Sequence, residues 1–216
     1  MSTLRYLGDH WDTLGPEVRT HLEIVGVSVL AAAVCGLALG IAAARSERIE
    51  AAATAVTSAI LTLPSFALFG FLTIYLGIGD TPVEIGLALY ALLPVLRNTC
   101  AGIHAVRPAV VEAAVGMGMN ARQVLTRIEL PLALPVIIAG LRQATVMVVA
   151  IATVGAAVGS DNLGRPIFEA MRAQANDSDK ILAVVLLIVA IGLSADSLLA
   201  LAQRLLSRGR ITRVPA

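Results

Sequence analysis

Two long stretches of this sequence carry no charged side chain, and they constrain its fold more than any other feature. One runs from Ile24 to Ala44 and the other from Ala51 to Gly79. A run of about 20 apolar residues is enough for a helix to cross the hydrocarbon core of a bilayer. Charged residues make up only 14% of the chain, whereas about a quarter is normal for soluble domains. We therefore interpret the chain as an integral membrane protein.

Hydrophobic segments at five places predict an all-α, polytopic bundle of membrane helices. They cover residues 22–44, 51–77, 83–103, 131–158 and 181–205. The second segment is overlong and contains Pro64, which removes a backbone donor and kinks or breaks a helix. Broken helices at membrane depth are tolerated where they border protein or a water-filled cavity. We expect about five crossings, or six if segment 51–77 is split.

The chain is expected to form one transmembrane domain over residues 1–216. We expect an outer N-terminal segment at residues 1–21, followed by three spans at 22–103 and a loop at 104–130. Two further spans occupy 131–205 and are joined by an outer loop at 159–180, and a tail follows at 206–216. Residues 1–23 contain four acidic side chains and lack the pattern of a cleaved signal peptide. They are interpreted as a surface segment that leads into the first span.

The distribution of basic residues predicts the orientation. With the N-terminus outside, ten basic residues lie inside: Arg45, Arg48, Arg97, Arg107, Arg122, Arg127, Arg204, Arg208, Arg210 and Arg213. Five lie outside: Arg5, Arg19, Arg165, Arg172 and Lys180. Basic residues favour the cytoplasmic side, so the chain is predicted to run from N-outside to C-inside. The loop 104–130 then lies in the cytoplasm.

The stretch "EAAVGMGMNARQVLTRIELP" at residues 112–131 predicts two short helices joined by a hinge. Pro108 suits the first turn of the first helix, and Gly118 can take the left-handed conformation that ends it. Asn120 and Gln123 have the spacing of a capping box, so a second helix is expected to start there. Its apolar residues are Val124, Leu125 and Ile128. Pro131 is expected to end the segment and open the fourth span, with Leu130 pushed toward extended geometry. Such helices pack on their own bundle, lie on lipid or dock on a partner.

Charged and polar residues within the spans are the other functional candidates. Arg142 and Asp196 lie at similar depths in the fourth and fifth segments, so we expect them to approach each other or to share a polar network. Their role is either stabilisation of the fold or gating. Pro64, Ser65 and Asn98 are polar or helix-breaking positions that could border a translocation path.

Several classes of function lack the residues that they need. No GxxxxGK[ST] phosphate loop is present, and no Ser/His/Asp or His/Glu spacing supports catalysis. Cys35 and Cys100 suggest neither a disulfide framework nor a metal cluster. We predict no cofactor, no metal and no nucleic-acid partner.

The stretch at 112–131 resembles the cytoplasmic EAA loop of ABC importer permeases. Its matching positions are Glu112, Ala113, Ala114, Gly118, Ile128, Leu130 and Pro131. Over about residues 20–205, with "LTLPSFALFGFLTIYLGIG" and "YALLPVLRNTCAGI", the chain looks like permeases that import glycine betaine, choline or carnitine. It departs from them at 159–164, where "GSDNLG" replaces the usual "GAGGLG" and makes that turn more polar and acidic.

The resemblance implies a type I importer permease fold (MetI-like) in a bacterial inner or plasma membrane. In that family the loop is a coupling helix that docks in a groove of an ATPase subunit. The contact would involve Glu112, Ala113, Ala114, Gly118, Asn120, Val124, Leu125, Ile128, Leu130 and Pro131. The implied partners are two ATPase subunits, which hydrolyse the ATP, a second copy or a homologous permease, an extracytoplasmic binding protein, and the lipid bilayer. The outer segment 159–180 is acidic and interrupted by Pro and Gly, and we expect it to be a docking or gating surface for the binding protein.

Three alternatives remain at this stage. The solute could be another small molecule such as an amino acid. The chain could be a channel or an ion-coupled transporter that needs no ATPase, although it has no visible internal repeat and Asp196 is its one clear embedded acid. A purely structural membrane subunit would leave the loop without a purpose.

Overall fold

The computed structural model describes residues 8–172 and 178–207, and all regular elements in these ranges are helical. The elements are α1 Trp11–Ala43, α2 Glu47–Thr62, α3 Ser65–Leu76, α4 Asp80–His104, α5 Pro108–Gly116, α6 Ala121–Val124, a π turn Leu125–Glu129, α7 Leu130–Ala152, a 3-10 turn Thr153–Val158, α8 Arg165–Arg172 and α9 Ser178–Ser207. The all-α class is confirmed.

Four helical runs in the described ranges are long and apolar enough to cross a membrane. These are α1, α4, the continuous run Ala121–Val158 and α9. The fifth candidate is the pair α2 and α3, which is bent by 96°. The bend lies at Leu63 and Pro64, whose backbones are extended with ψ of 136° and 130°. The predicted break is therefore present, and it gives five crossings rather than six because the two halves together make one candidate span.

Contacts divide the bundle into two ends. At the loop end, which carries residues 104–130, Nε2 of His104 lies 3.2 Å from the Ala44 carbonyl and 3.8 Å from a Glu50 carboxylate oxygen. At the opposite, far end, Ile78 packs against Gly159. Since α2 starts at the loop end and α3 leads to the far end, the bent pair is one crossing and not a re-entrant loop.

The described chain begins and finishes at opposite ends of the bundle. Glu17 near the start of α1 interacts with Arg165 and Lys180 at the far end. Near the end of α9, Gln203 donates to the Pro135 carbonyl near the start of α7. Opposite ends agree with an odd number of crossings. Some of the residues used to predict the orientation lie outside the described ranges: Arg5, Arg208, Arg210 and Arg213.

Small residues let the helices approach closely around α4, which packs on α1 and α7. A Cβ atom at Gly40 of α1 would lie 2.6 Å from Cβ of Thr99, and one at Gly140 of α7 would lie 2.5 Å from Cβ of Asn98. Gly36 and Gly40 repeat the four-residue spacing of small residues that is common between membrane helices. Large apolar side chains such as Leu30 and Ile74 remain exposed, at 67% and 74%, as expected for a surface in lipid.

Two sequence expectations need correction. Residues 11–21 form the start of α1 rather than a separate surface segment. Leu130 is helical, with φ of −60° and ψ of −45°, so Pro131 does not break the chain there. A π turn widens the backbone just before this proline and relieves the clash with the carbonyl four residues earlier. The loop helix that starts at Ala121 therefore continues into α7 without interruption.

Two glycines of α1 test the close packing. Gly40→Ala is expected to lower the free energy of unfolding by about 1–3 kcal/mol, because the added methyl group overlaps Thr99. Gly26→Ala is the matched control, because a Cβ there meets nothing within 4 Å and alanine favours a helix by up to about 1 kcal/mol. Thermal unfolding of the purified protein in detergent measures both. Equal effects of the two changes would contradict the packing account.

Candidate functional site: the loop end and the intramembrane polar groups

The first loop helix, α5, ends in a Schellman motif. Gly118 has a positive φ of 86°, a conformation that residues with a side chain resist. Its N–H donates to the Val115 carbonyl at 2.9 Å, and the N–H of Met119 donates to the Ala114 carbonyl at 3.1 Å. These two bonds satisfy carbonyls that the helix end leaves free. The hinge predicted at Gly118 has this local cause.

The second loop helix starts at a complete capping box. The Gln123 N–H donates to Oδ1 of Asn120 at 3.0 Å, and the Asn120 N–H donates to Oε1 of Gln123 at 2.9 Å. α6 and the π turn then run directly into α7. π turns occur frequently at functional sites. Any displacement of the capped end is therefore passed to α7 through continuous backbone.

The predicted coupling residues separate into a buried group and an outward group. Ala114 and Val124 are 1% and 5% exposed. Glu112 and Ala113 are exposed, as are two apolar side chains beside them, Val115 and Met117, at 56% and 72%. The remaining members are half-buried or exposed: Gly118, Asn120, Leu125, Ile128, Leu130 and Pro131. The loop thus has a packed face and an open face that carries both apolar and acidic groups.

An ion pair that sequence reasoning missed fixes this loop to α1. Nη1 of Arg45 donates to Oε1 of Glu129 at 3.1 Å, and Nη2 pairs with the other carboxylate oxygen. Arg45 follows the end of α1, and Glu129 is the last residue of the π turn. Only 7% of the Glu129 side chain is exposed, whereas 48% of the Arg45 side chain is, so the bidentate bond joins a buried carboxylate to a half-exposed guanidinium. The pair spans 84 residues of sequence, which no local pattern reveals.

Arg142 and Asp196 form a second bidentate pair, between α7 and α9. Nε and Nη2 of Arg142 donate to Oδ1 and Oδ2 of Asp196, both at 2.8 Å. Nη1 donates to Oε1 of Gln203 at 3.0 Å, and Gln203 in turn donates to the Pro135 carbonyl at 2.7 Å. The sequence predicted the pair but not the glutamine. Both charged side chains are 32% exposed and line a mostly apolar cavity of about 710 Å³. Whether the pair has a role in gating stays a prediction.

The positions proposed for a translocation path have different surroundings. Pro64 is exposed and Ser65 half-buried at the bend, where the Tyr90 hydroxyl donates to the Leu63 carbonyl at 2.8 Å. Asn98 packs against Gly140, and its amide donates to the Pro94 carbonyl at 2.8 Å. The bend is therefore exposed at Pro64 but hydrogen-bonded at the Leu63 carbonyl, while Asn98 lies within the contact between α4 and α7.

Sequence reasoning also misplaced Arg97. We counted it among the basic residues of the inner side, but it lies within α4, seven residues before His104. The signal was available, because the predicted span 83–103 already enclosed it. Arg97 is exposed on the protomer, and its Nη2 donates to Oγ of Ser58 in α2 at 3.2 Å.

The polar outer turn at 159–164 is largely internal. Ser160 and Asn162 are 2% and 0% exposed. Asn162 donates to the Ala152 carbonyl at 3.0 Å and to Oγ of Ser160 at 2.9 Å, and it accepts from the Gly164 N–H at 2.7 Å. These side chains therefore hold the turn and are not available to a solute or to a binding protein. Of the three polar residues, only Asp161 faces outward.

A chain of ion pairs covers the far end beside this turn. Arg165 donates to Asp161 at 2.7 Å and to Glu169 at 3.0 Å, and Lys180 lies 3.4 Å from Glu169. The hydrogen bond from Arg165, with a contribution from Lys180, lowers the pKa of Glu169 below its ordinary value. The predicted docking segment 159–180 thus has an ordered charged surface, although its residues 173–177 lie outside the described ranges.

In the described part of the chain, no group of three or more His, Cys, Asp or Glu side chains is arranged to hold a metal ion. Cys35 is exposed and Cys100 is buried, and both are free thiols.

Double substitution tests the Arg142–Asp196 pair. Asp196→Asn and Arg142→Gln are each expected to lower the midpoint of thermal unfolding, because each leaves a charge at membrane depth without its partner. The double variant should lose less than the sum of the two, since neither charge remains. The three variants are compared with the wild type in detergent. Strictly additive losses would show that the pair contributes no coupling.

Comparison with known proteins places this arrangement among transport proteins. Residues 36–208 match the family model described as "Binding-protein-dependent transport system inner membrane component". The chain is 36% identical to the carnitine transport permease protein OpuCD of Listeria monocytogenes, over 100% of this chain and 98% of the relative. It is 38% identical to the choline transport system permease protein OpuBD of Bacillus subtilis, over 94% and 90%. It is 37% identical to the glycine betaine/carnitine/choline permease OpuCD of the same organism, over 96% and 92%.

Solved structures share the fold. The inward-facing MetNI methionine ABC transporter matches with a TM-score of 0.82 at 20% identity, over 93% of this chain and 99% of that chain. An amino acid ABC transporter with histidines matches with a TM-score of 0.75 at 19% identity, over 94% and 98%. At these identities the likeness concerns the fold alone. Together with the family match, it confirms the importer-permease architecture: the chain belongs to the family of multi-pass inner-membrane components of binding-protein-dependent transport systems.

Proposed function

We propose that this chain is the membrane subunit of an ATP-driven importer for an osmoprotectant quaternary ammonium compound: glycine betaine, carnitine or choline. The choice of solute rests on full-length relatives that are named for these compounds. The ATP is hydrolysed by a separate ATPase subunit, because this sequence has no phosphate loop.

The observation that carries the proposal is the open face of the loop and its connection to the spans. Exposed Val115 and Met117 next to Glu112 give a short helix an apolar and acidic surface, which suits a groove in a partner. The following helical run, Ala121–Val158, is continuous. A force applied to the loop is therefore carried into α7 by a stiff helix.

The two ion pairs extend that connection to other helices. The Arg45–Glu129 pair ties the base of α7 to the end of α1, and the Arg142–Asp196 pair ties α7 to α9. When ATP draws the ATPase subunits together, the loops of two permease chains approach each other. The attached helices then move with them and open the path outward. ATP hydrolysis restores the inward-facing state.

The assembly has two permease chains, identical or homologous, with one ATPase subunit on each loop. A binding protein delivers the solute at the far end. Its docking surface is the outer segment 159–180, where Asp161, Arg165 and Glu169 form an exposed charged row. Since Ser160 and Asn162 are buried there, this row carries the recognition.

Substitutions on the open face test the coupling role. Glu112→Arg and Gly118→Trp are expected to reduce co-purification of the ATPase encoded beside this chain, or to uncouple its ATP hydrolysis from transport. The first reverses an exposed charge, and the second places a large side chain at a positive φ. ATPase recovery and ATP hydrolysis stimulated by the binding protein are both measured.

Glu47→Arg is the matched control, because Glu47 is an exposed acid at the same end but outside the loop. It should leave both readouts unchanged, and thermal unfolding checks that each variant is folded. The proposal would be contradicted if the ATPase never co-purified with the chain, or if both loop substitutions left its recovery and its ATP hydrolysis unchanged.

Uptake by proteoliposomes tests the solute. The complex of permease, ATPase and binding protein is expected to accumulate labelled glycine betaine, carnitine or choline only when ATP is present on the ATPase side. Methionine and histidine are the controls, because the fold is shared with amino-acid importers. If an amino acid accumulates but none of the three ammonium compounds does, the proposed solute class is wrong. The proposal that the chain belongs to an ATP-driven importer would still stand.

A further inference from the structure

Arg97 lies at membrane depth and does not extend toward the loop end. Two contacts between α4 and the broken pair frame its position: His104 with Glu50 at the loop end, and Tyr90 with the Leu63 carbonyl at the bend. The contact of Arg97 with Ser58 lies between them.

Helix geometry gives the direction of the side chain. Counted from the contact between His104 and Glu50 at 1.5 Å per residue, Arg97 is about 10 Å along α4 and Ser58 is about 12 Å along α2. A lysine or arginine that avoids hydrocarbon normally extends toward the nearer interface. The guanidinium of Arg97 is instead held at about the depth of its own Cα by the bond to Ser58.

The charge of Arg97 is not compensated by a described residue. Arg45 and Arg142 are each held by two carboxylate oxygens. In residues 8–172 and 178–207, Arg97 has no carboxylate within 4.0 Å, and its hydrogen-bond partner Ser58 is neutral. A guanidinium has five N–H donors, and this bond uses one nitrogen. Arg97 is therefore equipped to bind a further acceptor.

The exposed side of Arg97 cannot face lipid tails at small cost. A charge at this depth is expensive in hydrocarbon, and such residues face a water-filled cavity or a partner. Arg97 contacts Ser58 in α2, six residues before the exposed Pro64 of the broken helix. Broken helices are tolerated where they border such a cavity. A water-filled space beside the surface that carries Arg97 would meet this requirement.

We propose that Arg97 lines the solute path and binds the carboxylate of zwitterionic solutes such as glycine betaine and carnitine. The inference rests on the proposed function and adds to it the group that distinguishes among its solutes. A planar guanidinium matches a carboxylate through two parallel hydrogen bonds. Choline has the same trimethylammonium group but no carboxylate, so it makes no such contact.

Uptake rates in proteoliposomes test the assignment. Wild type and Arg97→Gln are compared for glycine betaine, carnitine and choline, each delivered by the same saturated binding protein. We expect Arg97→Gln to reduce uptake of the two carboxylates about tenfold or more, as for the loss of a charge-assisted hydrogen bond. Choline uptake should change little. Arg97→Lys keeps the positive charge but lacks the planar guanidinium, so its uptake of glycine betaine and carnitine should lie between that of the wild type and that of Arg97→Gln.

Ser58→Ala is the matched control, because it removes the hydrogen bond to Arg97 and keeps the charge. It should affect all three solutes alike and weakly. An equal loss of all three solutes in Arg97→Gln, or no loss, overturns the inference. A wild-type complex that imports none of the three solutes overturns the proposed function itself, which distinguishes the two failures.

Discussion

The close approach of α1 and α7 to α4 is the constraint on which the rest of the structure depends. Gly40 and Gly140 leave no room for a side chain against Thr99 and Asn98. Lipid tails are as apolar as leucine, so helix association in a membrane depends on such packing rather than on removal of apolar surface from water. Because α1, α4 and α7 are held together in this way, the bent pair α2 and α3 packs against α4, and α9 packs against α7.

Polar groups at membrane depth perform two different tasks in this bundle. Each guanidinium nitrogen of Arg142 bonds to Asp196 or Gln203, so its charge is paired and it joins two helices. Arg97 has a single neutral partner among the described residues. The difference lies in compensation rather than in residue type. The paired charge of Arg142 connects α7 with α9, whereas the uncompensated charge of Arg97 is the one that we propose to bind a solute.

Local sequence signals predicted the loop well where their cause was local. The hinge at Gly118 depends on one positive φ, and the start of α6 depends on Asn120 and Gln123 three residues apart. The expectation for Leu130 was wrong, because the usual effect of the following proline assumes regular α-helical geometry, and a π turn precedes it here. The composition of the polar outer turn did not show that Asn162 is buried, since exposure cannot be inferred from residue type alone.

The sequence by itself determined that the chain is a bundle of membrane helices, where the second span breaks, and where the two capped helices of the loop meet. These properties follow from uncharged runs, from Pro64 and from short-range caps. Only the tertiary structure decided that Arg45 meets Glu129, that Gln203 joins the intramembrane pair, and that Arg97 contacts Ser58 without a described counter-charge. Such contacts join residues far apart in the chain, and the packing of helices around α4 sets which of them meet.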